Sequence, residues 1–131
     1  MSAGSIDGVI TFAAGLPGFE TSRRFVLVAS PSLRPFTLVQ GVDGGAPSFV
    51  AIDPRLVDGH YHPSLEPGDL ARLGASSADT LLWLALVSAG PDDTATVNLR
   101  APLVVNPVSM CGIQLIATES PYQIDHPLSA E

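Results

Sequence analysis

"TATVNLRAPLVVN", residues 94–106, is the stretch on which the fold class turns. Ala95, Val97, Leu99, Ala101, Leu103 and Val105 fall on one face, with Thr94, Thr96, Asn98, Arg100, Pro102 and Asn106 largely opposite. That period of two is the pattern of a half-buried antiparallel strand. Pro102 cannot donate to a hydrogen-bond ladder, so the expected strand runs along an edge or breaks at a bulge there.

Short apolar runs of the same kind recur along the chain: "VITF" (9–12), "FVLVA" (25–29), "FTLVQ" (36–40), "SFVAID" (48–53), "LLWLALVSA" (81–89), "TATVNL" (94–99) and "PLVVN" (102–106) within the opening stretch, and "IQLIAT" (113–118). Between them lie "GLPG", "SPSLRP", "VDGGAP", "SAGPDD" and "NPVSMCG", compositions that reverse a chain. About eight strands in a small antiparallel β-barrel or sandwich follow, an all-β class. "LLWLALV" does not alternate, which places it at the centre of the sheet. One short helix is expected near residues 67–73, where Leu70 and Leu73 are three apart and Gly74 offers a C-terminal stop. Leu16-Pro17-Gly18-Phe19 carries the signature of a type II turn. The chain reads as a single domain over residues 1–131, fraying after Leu128.

Composition bounds the function. The chain is 46% hydrophobic and 15% charged, so it can sustain a core, and its 12 prolines and 12 glycines favour short elements joined by turns. All six cationic residues are arginine, and 13 carboxylates leave a net charge of -7. Direct nucleic-acid binding is disfavoured because no basic surface clusters, and an acidic body suits a basic partner. The single cysteine, Cys111, excludes an internal disulfide framework, and no cationic leader precedes an apolar stretch. The run Leu81 to Val87 is far shorter than the roughly 18 residues of a membrane span. A cytoplasmic protein without membrane contact is expected.

Catalytic patterns are weak. His60 and His62 flank Tyr61 and could present two imidazoles to one side, with His126 a distant third. Pro63 follows at once, so "GHYHP" reads as a surface turn. A small barrel binding a metal or carbohydrate through His60, His62 and His126 is the alternative reading. Cys111 beside Gly112 behaves as a small hydrophobe, and most carboxylates sit beside turn residues, where they bond local amides. No phosphate loop, dinucleotide fingerprint or nucleophile elbow occurs. The residues thus point to a binding protein rather than an enzyme, with no cofactor.

Taken in order, "ITFAAGLPGFE", "RFVLV", "PFTLVQ", "FVAIDP", "HYHPSL", "VNLRAPLVVNP", "GIQLIA" and "SPYQIDHPL" resemble the FliW family of flagellar assembly factors over nearly the whole chain. The most specific pieces are Phe12 to Glu20, Asn98 to Pro102, and the trio Gln114, Tyr122 and His126. The resemblance implies a regulatory binding protein with a barrel-like fold and no chemistry. It implies two partners, newly made flagellin and CsrA, the RNA-binding repressor of flagellin translation, exchanged so that free FliW relieves repression. It also implies partner-binding or motif roles for Phe19, Glu20, Asn98, Leu99, Pro102, Gln114, Tyr122 and His126. The chain departs from the family pattern at Gly41, where serine is usual, and at Ile113 and Asp125, where basic residues are common.

Overall fold

Alternating apolar side chains flanked by Gly, Pro and Asp turns fold this chain into a closed wall of strands. The structure, a computed structural model, describes residues 8–16, 19–44, 46–77, 80–116 and 120–128. In chain order the elements are β1 (Ile10–Phe12), β2 (Arg24–Val28), β3 (Phe36–Gly41), β4 (Ser48–Ile52), α1 (Pro54–Val57), α2 (Pro67–Leu73), β5 (Leu82–Ala89), β6 (Ala95–Val97), β7 (Leu103–Asn106), β8 (Cys111–Gln114) and β9 (His126–Pro127). Hydrogen-bonded neighbours run β4-β3-β2-β1-β8-β7-β5, and β5 returns to β4, closing a seven-strand barrel. β6 and β9 continue from β5 as a ribbon.

β5 carries the closure. Leu82–Leu84 pair with β7, Val87–Ala89 with β6, and Ala85–Val87 with β4 along the other edge. A strand bonded on both edges and covered on both faces has no reason to alternate, so the central placement of "LLWLALV" is met. The barrel is not wholly antiparallel as expected. β1 and β8 pair in parallel, with Thr11 opposite Cys111 and Phe12 opposite Gly112. The long stretch of chain between them supplies the crossover that a parallel pair needs.

Two cores share this wall. Inside the barrel lie Ile10, Phe12, Phe25, Leu27, Val39, Ala51, Leu84, Leu103 and Val105. The rings of Phe12 and Phe25 meet edge to face at 5.7 Å. At Gly112 a Cβ would stand 2.5 Å from the Phe12 ring, so only glycine fits. The second core lies outside the wall, where Ile52, Trp83, Ala85, Val97, Val104 and Leu115 are covered by Tyr61, Leu73, Tyr122 and Leu128. Asp69 begins that cover by accepting from the Glu66 amide at 3.0 Å, and Gly74 ends α2 with a φ of 66°.

Sequence expectations need correction at two further points. A second helix, α1, follows β4, where Asp53 accepts from the Arg55 amide at 2.9 Å and Pro54 occupies the first turn. The single period over residues 94–106 is broken into two strands, which fall within the separate runs 94–99 and 102–106. The Asn98 side chain accepts from the amides of Arg100 and Ala101 at 3.1 and 2.9 Å, and the chain turns there. The turn also exchanges faces: Val97 and Leu99 join the outer core, whereas Leu103 and Val105 point inside. β7 is therefore buried on both faces, with Val104 outward under the cover. Pro102 lies at the break, as its missing donor requires. At the first corner Pro17 and Gly18 lie outside the described residues, so their turn type does too. The Phe19 amide bonds the Leu16 carbonyl at 2.7 Å across them. The residues beyond Leu128, expected to fray, also lie outside the described residues.

Candidate functional site

The motif residues divide between two surface clefts and the turns that support them. The first cleft, about 410 Å³, runs along β1 and β8 and is lined by Glu20, Arg72, Cys111, Ile113, Gln114 and Ile116, among others. Gly15 builds its rim. With a φ of 69° it lets the chain approach itself so closely that a Cβ would lie 2.5 Å from the Glu20 carbonyl oxygen. Phe19 is 44% exposed and leans edge to face on Phe49 at 5.6 Å, and Phe49 in turn contacts Phe25 at 6.2 Å. Its ring is therefore both an anchor and a surface. Gln114 donates through Nε2 to the Ala101 carbonyl at 3.0 Å, while its Oε1 is buried without a partner among the described residues.

The second cleft, about 530 Å³, brings together His60, His62, Tyr122 and His126. Behind its lining residues Leu99 and Tyr122 lies Tyr61, which is 5% exposed. The Tyr61 hydroxyl donates to the Leu99 carbonyl at 2.7 Å, and its ring lies 4.6 Å from that of Tyr122. Burial, and secondarily Tyr122, pushes the Tyr61 hydroxyl pKa above its ordinary value. The Tyr122 oxygen accepts from the His62 amide at 3.0 Å, and the Leu99 amide bonds the Gln123 carbonyl at 3.0 Å. His126 pairs opposite Val97, completing the ribbon. The three histidines thus share a cleft, but His62 Nδ1 is turned to the His60 carbonyl. Among the described residues no three His, Cys, Asp or Glu side chains are arranged to hold a metal ion.

Several motif residues are taken up by the fold itself. Asn98 fastens its turn, Leu99 is buried, and the Pro102 carbonyl accepts from the Leu115 amide at 2.9 Å. Phe19, Glu20, Gln114, Tyr122 and His126 reach a cleft or open surface. Gly41 has a local cause: a Cβ there would run into the Ala46 side chain, so serine does not fit this turn. Ile113 lines the first cleft and Asp125 is exposed beside His126. Sequence reasoning missed Tyr61 as the residue that joins "GHYHP" to "NLRAP". Its signal was an aromatic between two polar residues in a turn, an expensive place for a ring unless something covers it. Among the described residues no helix is long and apolar enough to cross a membrane.

The class so defined is a small closed β-barrel whose outer wall carries a helical cover and a C-terminal ribbon. The family model described as "FliW protein" matches residues 3–128. The chain is 33% identical over 129 residues to the flagellar assembly factor FliW of Thermotoga maritima, covering 97% of this chain and 87% of that one. It is 34% identical over 124 residues to that of Geobacillus kaustophilus, covering 94% and 85%. A crystal structure of the flagellar assembly factor FliW superimposes with a TM-score of 0.84 at 31% identity, covering 94% of this chain and 86% of the other. The chain belongs to the FliW family of flagellar assembly factors.

Proposed function

We propose that this protein is a non-enzymatic, single-domain partner switch of the cytoplasm, spanning residues 1–131, that binds flagellin and the repressor CsrA in exchange. The observation that carries this reading is the family match across residues 3–128. The net charge of -7 supports it, because an acidic body docked on a basic RNA-binding dimer weakens phosphate binding by adding negative potential near the RNA path. The protein itself needs neither direct nucleic-acid contact nor a membrane, and no cofactor. Phe19, Glu20, Gln114, Tyr122 and His126 are the proposed contact residues, with Asn98, Leu99 and Pro102 holding the loops that carry them.

The test measures repressor–RNA binding by fluorescence anisotropy. Added protein should weaken the complex, flagellin should restore it, and raised salt should diminish the effect because exposed charges are screened beyond about 10 Å at 0.1 M. Absence of any repressor complex at micromolar concentration overturns the reading. Binding to one partner alone would identify a protein that keeps the fold and half the switch, with Ile113 and Asp125 as the positions to restore to basic residues.

A further inference from the structure

The outer wall of the barrel carries an apolar row away from both clefts. Val28 on β2 pairs with Leu38 on β3, and Leu38 pairs with Val50 on β4, so three apolar side chains line up across adjacent strands. Their chain neighbours Leu27, Val39 and Ala51 are buried inside, and strand alternation turns the row outward. Val28 and Val50 are 37% and 41% exposed. Beside the row, at the start of β3, a third cleft of about 530 Å³ is lined by Pro31, Arg34, Phe36 and Leu56, among others. Leu56 is 65% exposed.

Charge distinguishes this cleft. Arg24 is paired with Asp43 and Arg72 with Asp69, but among the described residues Arg34 has no acidic side chain within ion-pair distance. Asp53, which follows the register pair Phe36–Ile52, accepts from the Arg55 amide and makes no ion pair among the described residues. Arg34 is the single charged residue among the described residues that line the cleft. In a chain of net charge -7, an uncompensated guanidinium beside apolar surface favours a carboxylate locally and rejects a cation.

We infer that this cleft, with the apolar row beside it, docks an acidic, apolar peptide segment of a partner protein. An aliphatic or aromatic side chain lies against Pro31, Phe36 and Leu56, and a neighbouring carboxylate meets Arg34. Apolar burial supplies the affinity and the guanidinium selects the charge. The inference does not rest on the partner-switch reading, since the cleft shares no lining residue with the two clefts above.

The probes are three capped tripeptides, acetyl-Leu-Phe-Glu-amide and its Gln and Lys counterparts, titrated to millimolar concentration against the full isotope-labelled chain and followed by amide NMR shifts. The Glu probe should move residues 29–37 and Leu56, and the Gln probe should bind about three- to fivefold more weakly, as one partly exposed ion pair allows. The Lys probe should bind more weakly still. Arg34→Gln, at an exposed position, should abolish the difference between the Glu and Gln probes, and Leu56→Ser should weaken all three. Equal binding of the Glu and Lys probes overturns the inference, as do shifts confined to other surfaces or no shift at millimolar peptide.

Discussion

Tyr61 joins three segments distant in the chain, those of Trp83, Leu99 and Tyr122. Its hydroxyl bonds the Leu99 carbonyl, its ring meets Trp83 edge to face at 6.4 Å, and its other neighbour is Tyr122. Tyr61→Phe should therefore destabilise the protein by about 1–2 kcal/mol at pH 8, because a buried carbonyl loses its donor. The pH dependence has a definite sign. Burial raises the hydroxyl's pKa above its ordinary value of 10.0, so the folded chain keeps the proton after the unfolded chain begins to release it. This stability is complete below pH 10 and is lost as pH rises above it, by at most about 1.4 kcal/mol per pH unit. Urea denaturation of both proteins from pH 8 to 11 checks it: the gap between wild type and Tyr61→Phe should narrow above pH 10. At the first corner, a ring that is 44% exposed and braced on Phe49 has less to lose than a core phenylalanine. Phe19→Ala should cost about 1–1.5 kcal/mol, against 3–5 for a buried ring. Glu20→Ala should leave the melting temperature unchanged and weaken partner binding, read by calorimetry against flagellin and CsrA separately. Unchanged affinity for both would reduce that corner to a structural turn.

At the scale of elements, the β5–β6 hairpin carries an unusual connection. The Thr94 amide bonds the Pro91 carbonyl at 3.1 Å, and between them Asp92 and Asp93 have φ values of 57° and 60°. Two left-handed residues in succession match the twist of a tight hairpin, but glycine is the usual second occupant. Asp93→Gly should stabilise the fold by roughly 0.5–1 kcal/mol and raise the melting temperature, with no change in the far-ultraviolet spectrum. A decrease would mean that the Asp93 side chain holds the turn. Elements were legible where one local cause acts: "FTLVQ", "SFVAI" and "PGDLARL" became β3, β4 and α2 because alternation or capping residues agree with burial. Residues 94–106 misled because their period survives a change of face. Asn98 turns the chain, and the odd-numbered apolar residues then serve one core before the break and another after it. The parallel β1–β8 pair had no local signature, since direction is set by the path of the chain between them. The proposed contact residues come from family resemblance alone. Periodicity carries no information on which polar side chain a turn consumes and which it leaves exposed.

The whole molecule is two cores on one wall, and its stability follows from that arrangement. Along β5, Leu84 points into the barrel while Trp83 and Ala85 point outward to the helical cover, so neither core can dissolve without stripping one face of a shared strand. The chain's one tryptophan sits in the outer core and reports on the cover, whereas the far-ultraviolet signal reports on the sheet. If the cores are coupled, both probes should trace one urea transition with a common midpoint. Leu73 on α2 tests this, because it is 0% exposed and belongs to the outer core alone. Leu73→Ala should cost about 2–4 kcal/mol, the loss of transfer energy plus the cavity left under α2. The shared wall requires both probes to move by the same amount. Should tryptophan fluorescence change at lower urea than the sheet signal, the cover would be a separately melting unit, and the cleft edged by His60, His62 and Tyr122 would open without unfolding the barrel.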